Sequence, residues 1–477
     1  MELHATKNDN GKFAFFSGIF LICLTLSLWR SDNLVLLVPF AIIALYSAWT
    51  DHRLLFFVLL FTLPISTEIK ITGELSTDFP DEILMILVTG VLIASLILTR
   101  GHGLRKYMTH PIILFFLLTI VWSIAAISAS DYPIISIKYL LAKTWYAGAF
   151  LIFPFIILKN KKDIIVAVRT LCFTMFAVVL IIQARHAADG FTFIGINEVV
   201  VPFFRNHVNY SAMLVCLIPV TFVLMRMEKR RNVKVVLAGV LLIFFGALFF
   251  SYARGAWLAL VMGAIGYFMI KKRLLLVSFF LLIVSLVGAI IWLNHEKRYL
   301  QYAHDYRSTI YHENFREHLQ ATYQGKDVST AERFYRWIAG MKMVEEKPLT
   351  GFGPNTFYNN YKEYAIPAYK TWVSKNTEQS TVHNYFLLVA IEQGIPGLVF
   401  FLLLLASMFY YCQRLYHKSK DPFNRTVAMC SGVILVMIMT VNLLSDLIET
   451  DKIGSLFFLC ISVLIITDLR ERNNISA

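Results

Sequence analysis

Residues 229–273 read KRRNVKVVLAGVLLIFFGALFFSYARGAWLALVMGAIGYFMIKKR. Two apolar runs stand back to back, each close to the ~20 residues that cross ~30 Å of hydrocarbon at ~1.5 Å per residue. The basic triplets Lys229–Arg231 and Lys271–Arg273 close the free ends, and a very short turn at 251–255 joins the runs. This is the pattern of a membrane-spanning helical hairpin. Lys and Arg in short connectors stay on the cytoplasmic side, so the turn carrying Arg254 faces outward.

The same alternation runs through the rest of the chain. Spans are expected near 12–29, 34–50, 54–68, 82–99, 111–129, 134–158, 163–182, 207–225, 233–251, 255–270, 274–292, 384–412, 425–445 and 453–468, with Pro64 interrupting the third. The first run, Phe13–Trp29, lacks a small-residue cleavage site and reads as an anchor. Basic clusters such as Arg100/Arg105/Lys106, Lys159/Lys161/Lys162, Arg414/Lys418/Lys420 and Arg470/Arg472 occupy alternate connectors, which places both termini inside. The outward segments are 69–81, 183–206, 251–255, 293–383 and 446–452. The expected fold is therefore an all-α polytopic membrane protein with about fourteen helices. Residues 1–292 hold the first eleven spans, 293–383 form an inserted extracytoplasmic loop, and 384–477 hold the last three spans and a cytoplasmic tail.

Composition agrees. Hydrophobic types make up 57% of the 477 residues and charged types 16%, with mean hydropathy +0.63. A soluble interior is too small to hide that much apolar surface. The net charge of +13 sits in short clusters between apolar runs rather than on one face, which argues against a nucleic-acid partner. Cys23, Cys172, Cys216, Cys412, Cys430 and Cys460 all fall inside expected spans, so neither a disulfide framework nor a CxxC metal motif is present.

Within the long loop, Thr330–Glu346 has helical spacing, with Phe334, Trp337, Ile338 and Met341 on one face. It stops at Pro348, and Gly351 and Gly353 follow as turn residues. Three outward features carry side chains capable of chemistry. Arg205 and Asn209 stand where a loop enters a span; an arginine there either presents its planar fork of donors to phosphate oxygens or snorkels among headgroups. Arg254 sits in the tight 251–255 turn, where a charge is costly without a partner, and Gly255 lets a bulky anion approach the backbone; simple turn capping is the alternative. His383-Asn384 marks the return of the long loop, and an imidazole there can accept a hydroxyl proton or serve structure alone. Glu392, more than two helical turns from His383, orients the local fold or a neighbouring span. Lys138 and Lys143 read as snorkelling lysines, with holding an anion as the alternative; Asp446, Glu449 and Asp451 read as decoration of a solvated turn, with a cation or sugar contact as the alternative; Asp78 and Asp81 read as an ordinary polar mouth to a span. No GxxxxGK[ST], HExxH or GxSxG motif is present, and the cytoplasmic connectors are too short for a nucleotide-binding domain.

His383-Asn384, nine residues, Gly394, two residues and Gly397 resemble the signature of the O-antigen ligase and Wzy-type polymerase superfamily. The segment Glu332-Arg333-Phe334-Tyr335-Arg336-Trp337, the run Glu346-Lys347-Pro348-Leu349-Thr350-Gly351-Phe352-Gly353-Pro354-Asn355, the Ala253-Arg254-Gly255 turn and Arg205–Asn209 agree in order over roughly residues 185–445. The resemblance implies a GT-C type membrane glycosyltransferase of the bacterial inner membrane with its site facing the periplasm. It implies an undecaprenyl-diphosphate-linked glycan as donor, a lipid A–core sugar or another glycan as acceptor, and no nucleotide, metal or other cofactor. Arg205 and Arg254 would hold the donor diphosphate and His383 would act as base. Asn209, Asn384, Glu392, Gly394, Gly397 and Arg333 would support them. A ligase, a polymerase and a protein O-oligosaccharyltransferase share this leaving-group chemistry. A polysaccharide flippase is the reading from another class, but transporters usually show internal repeats and polar groups near the midplane.

Overall fold

The structure is a computed structural model that describes residues 37–70, 76–101, 103–302, 328–365 and 381–475. The expected span at 12–29 lies outside these residues. The chain is built of helices: α1 (Leu37–Thr50), α2 (His52–Thr62), α3 (Asp81–Thr99), α4 (Pro111–Ile127), α5 (Pro133–Ile157), α6 (Lys161–Ala188), α7 (His207–Met227), α8 (Arg231–Phe250), α9 (Arg254–Lys271), α10 (Leu275–Asn294), α11 (Val328–Glu346), α12 (Phe357–Tyr364), α13 (Tyr385–Lys418), α14 (Pro422–Asn442) and α15 (Asp451–Ile475). Among the described residues nine helices are long and apolar enough to cross a membrane by length and composition. The 17-residue α4 and the 18-residue α9 stand beside them. From residue 81 onward every expected span coincides with one helix.

The third expected span, 54–68, does not form as a single helix. Its helix α2 has 11 residues, about half the length that crosses a bilayer. The chain then leaves helical geometry, and Thr67–Lys70 (β1) pairs antiparallel with Ser76–Phe79 (β2), Thr67 opposite Phe79. Thr67 and Ile69 are β-branched and, with the Pro80 that follows β2, favour an extended hairpin over a continued helix.

Local chemistry sets the helix boundaries. Proline occupies the first turn of α4, α5 and α14, where its missing N–H costs nothing. Asn206 caps α7 by accepting from Val208 N and Asn209 N, both at 3.0 Å, and Asn160 and Asp163 close a reciprocal capping box on α6. Helix packing uses small residues, as expected where lipid supplies no hydrophobic drive between helices. Gly263 and Gly266 of α9 lie against Met437 and Val436 of α14; a Cβ on either glycine would come within 2.2 and 3.0 Å of those side chains. At the basic end, His110, Arg414 and Arg472 converge on the buried Asp468, tying α4, α13 and α15 together.

Candidate active site

The long loop is seated in a break of α13. Gly394 has φ +70° and ψ −179°, a region essentially confined to glycine, and Pro396 follows it. The freed backbone groups take up the loop instead: Ile395 N donates to Pro348 O at 2.7 Å, Phe352 N to Ile391 O at 3.0 Å and Gly353 N to Glu392 O at 2.9 Å. Gly351, with φ +66°, approaches so closely that a Cβ would stand 2.4 Å from the carbonyl carbon of Glu392. Glu392 is 5% exposed, and its Oε1 accepts from Phe357 N at 3.1 Å. It thus orients the loop and does not meet His383. Trp122 donates to Gln393 O at 2.7 Å and packs where Gly397 leaves room. The two glycine motifs, distant in sequence, are the two halves of one joint.

Helix α11 carries the loop's last residues to the site. Arg336 Nη1 donates to Thr381 O at 2.9 Å and Trp337 Nε1 to Val382 O at 3.0 Å. His383 follows with φ 52°, a left-handed conformation that a side chain strains. Asn384 then caps α13, its Oδ1 accepting from Leu387 N at 3.0 Å. Burial first, then the guanidinium groups of Arg333 and Arg336, hold the His383 imidazole well below its ordinary value of 6.5. It is therefore neutral at pH 7, with a lone pair free to take a proton.

The turn between α14 and α15 completes the arrangement. Tyr385 N donates to Ser445 O at 3.0 Å, which fixes the start of α13 against this turn. Asp446 Oδ1 stands 4.0 Å from His383 Nδ1. Burial raises Asp446, while the nearby Thr381 hydroxyl and the charge of Arg205 oppose that rise. Arg205 and His383 thus share one carboxylate as a neighbour. Gly255, next to Arg254 at the start of α9, has Leu444 as its neighbour, 4.0 Å from where a Cβ would lie. The start of α9, which bears Arg254, therefore packs beside the end of α14 where this turn begins. Asn209 lies in the first turn of α7 behind Arg205, its N–H held by the Asn206 cap.

The structure corrects several sequence readings. Asp446 and Glu449 are packed, not decoration of a solvated turn. Glu449 Oε1 accepts from Tyr139 at 2.9 Å and lies 3.8 Å from Lys143 Nζ. Lys143 in turn donates to Tyr139 at 2.7 Å, so it points inward instead of snorkelling, whereas Lys138 is exposed. Asp81 and Asp451 are buried, so they are no ordinary polar mouth and no solvated turn either. For Asp446, Glu449 and Asp451 the reason is shared: 446–452 is too short to leave the bundle, so its polar groups find partners within it.

Residues 239–402 match the O-antigen ligase family. That stretch holds Arg254, α11, the loop joint and His383; Arg205 and Asp446 fall outside it. The chain is 22% identical over 253 residues to an O-antigen ligase of Salmonella typhimurium, covering 52% of this chain and 56% of the relative. It is 23% identical over 113 residues to the exopolysaccharide production protein ExoQ of Rhizobium meliloti, covering 24% and 26%. The chain thus spans about half of one curated relative and a quarter of the other. It is a multi-pass helical membrane protein that carries, across residues 239–402, a stretch matching the O-antigen ligase family.

Proposed function

We propose that this protein is an inverting, metal-independent glycosyltransferase of the O-antigen ligase kind. It moves a glycan from an undecaprenyl-diphosphate carrier to a sugar hydroxyl of lipid A–core on the periplasmic face of the inner membrane. One observation carries the reading: a neutral His383, set at the end of the long loop, shares the Asp446 turn with Arg205 and with the start of α9 that bears Arg254. The acceptor oxygen attacks the anomeric carbon from the side opposite the diphosphate. The sugar–phosphate C–O bond breaks, and its electron pair leaves on the diphosphate. The hydroxyl proton passes to His383, and Asp446 stabilises the imidazolium that forms. Arg205 and Arg254 neutralise the charge that grows on the leaving group, an effect that is strongest in a site poor in water. Their fixed charges take the part a metal ion plays in other glycosyl transfers. Asn209, Asn384, Glu392, Gly394, Gly397 and Arg333 hold these three groups in register.

Deleting the gene and analysing surface glycans by gel and mass spectrometry tests the reading. Polymer left on its lipid carrier beside bare core supports it. The similarity to an exopolysaccharide production protein favours a second reading, a polymerase whose acceptor is another lipid-linked unit; core bearing single repeat units is its outcome. Unchanged surface glycans with unglycosylated proteins would point to a protein hydroxyl as acceptor. A reporter fused after Lys326 is expected in the periplasm, and a cytoplasmic signal there overturns the orientation.

A further inference from the structure

Two cations hold the backbone just before Arg205. Arg185 Nη1 donates to Val201 O at 2.7 Å, and the guanidinium carbon Cζ lies 5.7 Å from the Phe203 ring centroid. Lys452 Nζ donates to Phe203 O, two residues from Arg205, and lies 4.3 Å from the Phe204 ring centroid. The same ammonium donates to Ser66 O at 2.9 Å. Lys452 is 6% exposed, so its charge is stripped of water and needs a counter-charge nearby. Asp451, also buried, is foremost in supplying it through space. Asp451 is itself fixed, accepting from Ser66 Oγ at 3.2 Å.

This arrangement differs from an ordinary ion pair between helices. A lysine that only tied α15 to its neighbours would spend its N–H groups on the carboxylates beside it. Here they go to main-chain carbonyls of two separate segments, and one of those segments delivers Arg205. Asp451 provides charge balance, and the carbonyls receive the directional bonds.

We infer that Lys452 is a positioning residue for Arg205, locking the Phe203–Arg205 backbone so that the guanidinium faces the diphosphate of a lipid-linked donor. The inference rests on the proposed role of Arg205 as a diphosphate ligand. Lys452 itself touches no substrate. It acts by removing the backbone freedom that Arg205 would otherwise lose on binding, which is a preorganisation effect.

The test uses the full-length protein in nanodiscs, with farnesyl diphosphate as a short prenyl diphosphate probe. Four proteins are compared with the wild type: Arg205→Ala, the charge-balanced pair Lys452→Gln with Asp451→Asn, their combination, and Lys452→Arg. The pair variant is expected to weaken probe binding about tenfold, a typical coupling between linked sites. The combination should bind no more weakly than Arg205→Ala alone, because Lys452 acts through Arg205. Lys452→Arg keeps the charge and should retain most of the binding. Losses that add in the combination, or wild-type binding in the pair variant while Arg205→Ala is weak, overturn the inference and leave the function intact. Wild-type binding in Arg205→Ala overturns both. Should the pair variant not fold, Phe204→Leu replaces it: the ring beneath the ammonium is lost while every charge stays. It is expected to weaken binding in the wild-type background and to do nothing in the Arg205→Ala background, and additive loss there again overturns the inference.

Discussion

Gly394 and Leu349 meet backbone to backbone: a Cβ on the glycine would stand 2.1 Å from the Leu349 carbonyl oxygen. Loop and helix are joined where the helix has no room for a side chain.

Gly394→Ala is therefore expected to be costly twice over, through the clash and through a backbone region that strains other residues by roughly 1–3 kcal/mol. A lowered unfolding temperature in detergent, together with lost transfer, is the expected result. Gly288, in α10, has no atom within 4 Å of where a Cβ would lie, so Gly288→Ala is the matched control.

Glu392→Ala should loosen the loop without touching the reacting groups. It leaves the buried Phe357 N–H without its acceptor, at a cost of about 1–3 kcal/mol. Limited proteolysis of the 328–365 region reads this directly. Glu392→Gln keeps an acceptor oxygen and should resist cleavage nearly as well as the wild type.

His383 should not show the pH behaviour of a free imidazole. Its folded value lies below 6.5, so the rate should stay flat as pH falls through 6.5, and the acid limb should appear only further down. Arg333→Met removes a nearby positive charge and should move that limb upward. The stability sign is consistent: the fold prefers neutral histidine, so acid titration of His383 disfavours the folded state. His383→Ala should lower transfer by roughly 10²–10⁴-fold while insertion is retained. Full activity in that variant would remove the base assignment.

Asp446→Asn should lower transfer about a hundredfold by withdrawing the charge that steadies the imidazolium. Its effect should fall on the turnover rate and not on binding of a prenyl diphosphate. A loss confined to binding would mean that Asp446 serves Arg205 and not His383.

Asp78 predicts an unusual stability profile. Burial, then the charge of Asp451, raises it from 3.8 to about 7. The folded state therefore holds its proton more tightly than the unfolded chain does. The stabilisation is complete below 3.8 and is lost as pH rises through about 7. Asp78→Asn should flatten that decline between about pH 4 and pH 7 in thermal unfolding, and an unchanged slope would show that Asp78 does not cause it.

Sequence periodicity makes the helices from residue 81 onward legible because apolar runs and basic connectors are local signals. The third expected span fails for the same reason: an apolar count over 54–68 does not register that β-branched residues near its end pair with Ser76–Phe79. Arg205, Arg254 and His383 stand out as polar residues at the mouths of apolar helices. Asp446 carries the same signal, in a turn too short to leave the bundle, yet it reads as solvated because the imidazole it faces is remote in sequence. Lys452 gives no sequence cue beyond its acidic neighbour. Its meaning lies in two carbonyls, and carbonyls leave no mark in a sequence.

The joint at Gly394 also dictates an order of assembly. A chain made from its N-terminus can place Arg254 early, since the α8–α9 hairpin closes on itself, whereas the backbone before Arg205 waits for Lys452 of α15. The loop has nowhere to settle until α13 has entered the membrane and broken at Gly394, and His383 has no carboxylate beside it until the turn after α14 has emerged. A ribosome stalled anywhere before that turn would leave the preceding helices inserted while His383 still lacks Asp446 beside it.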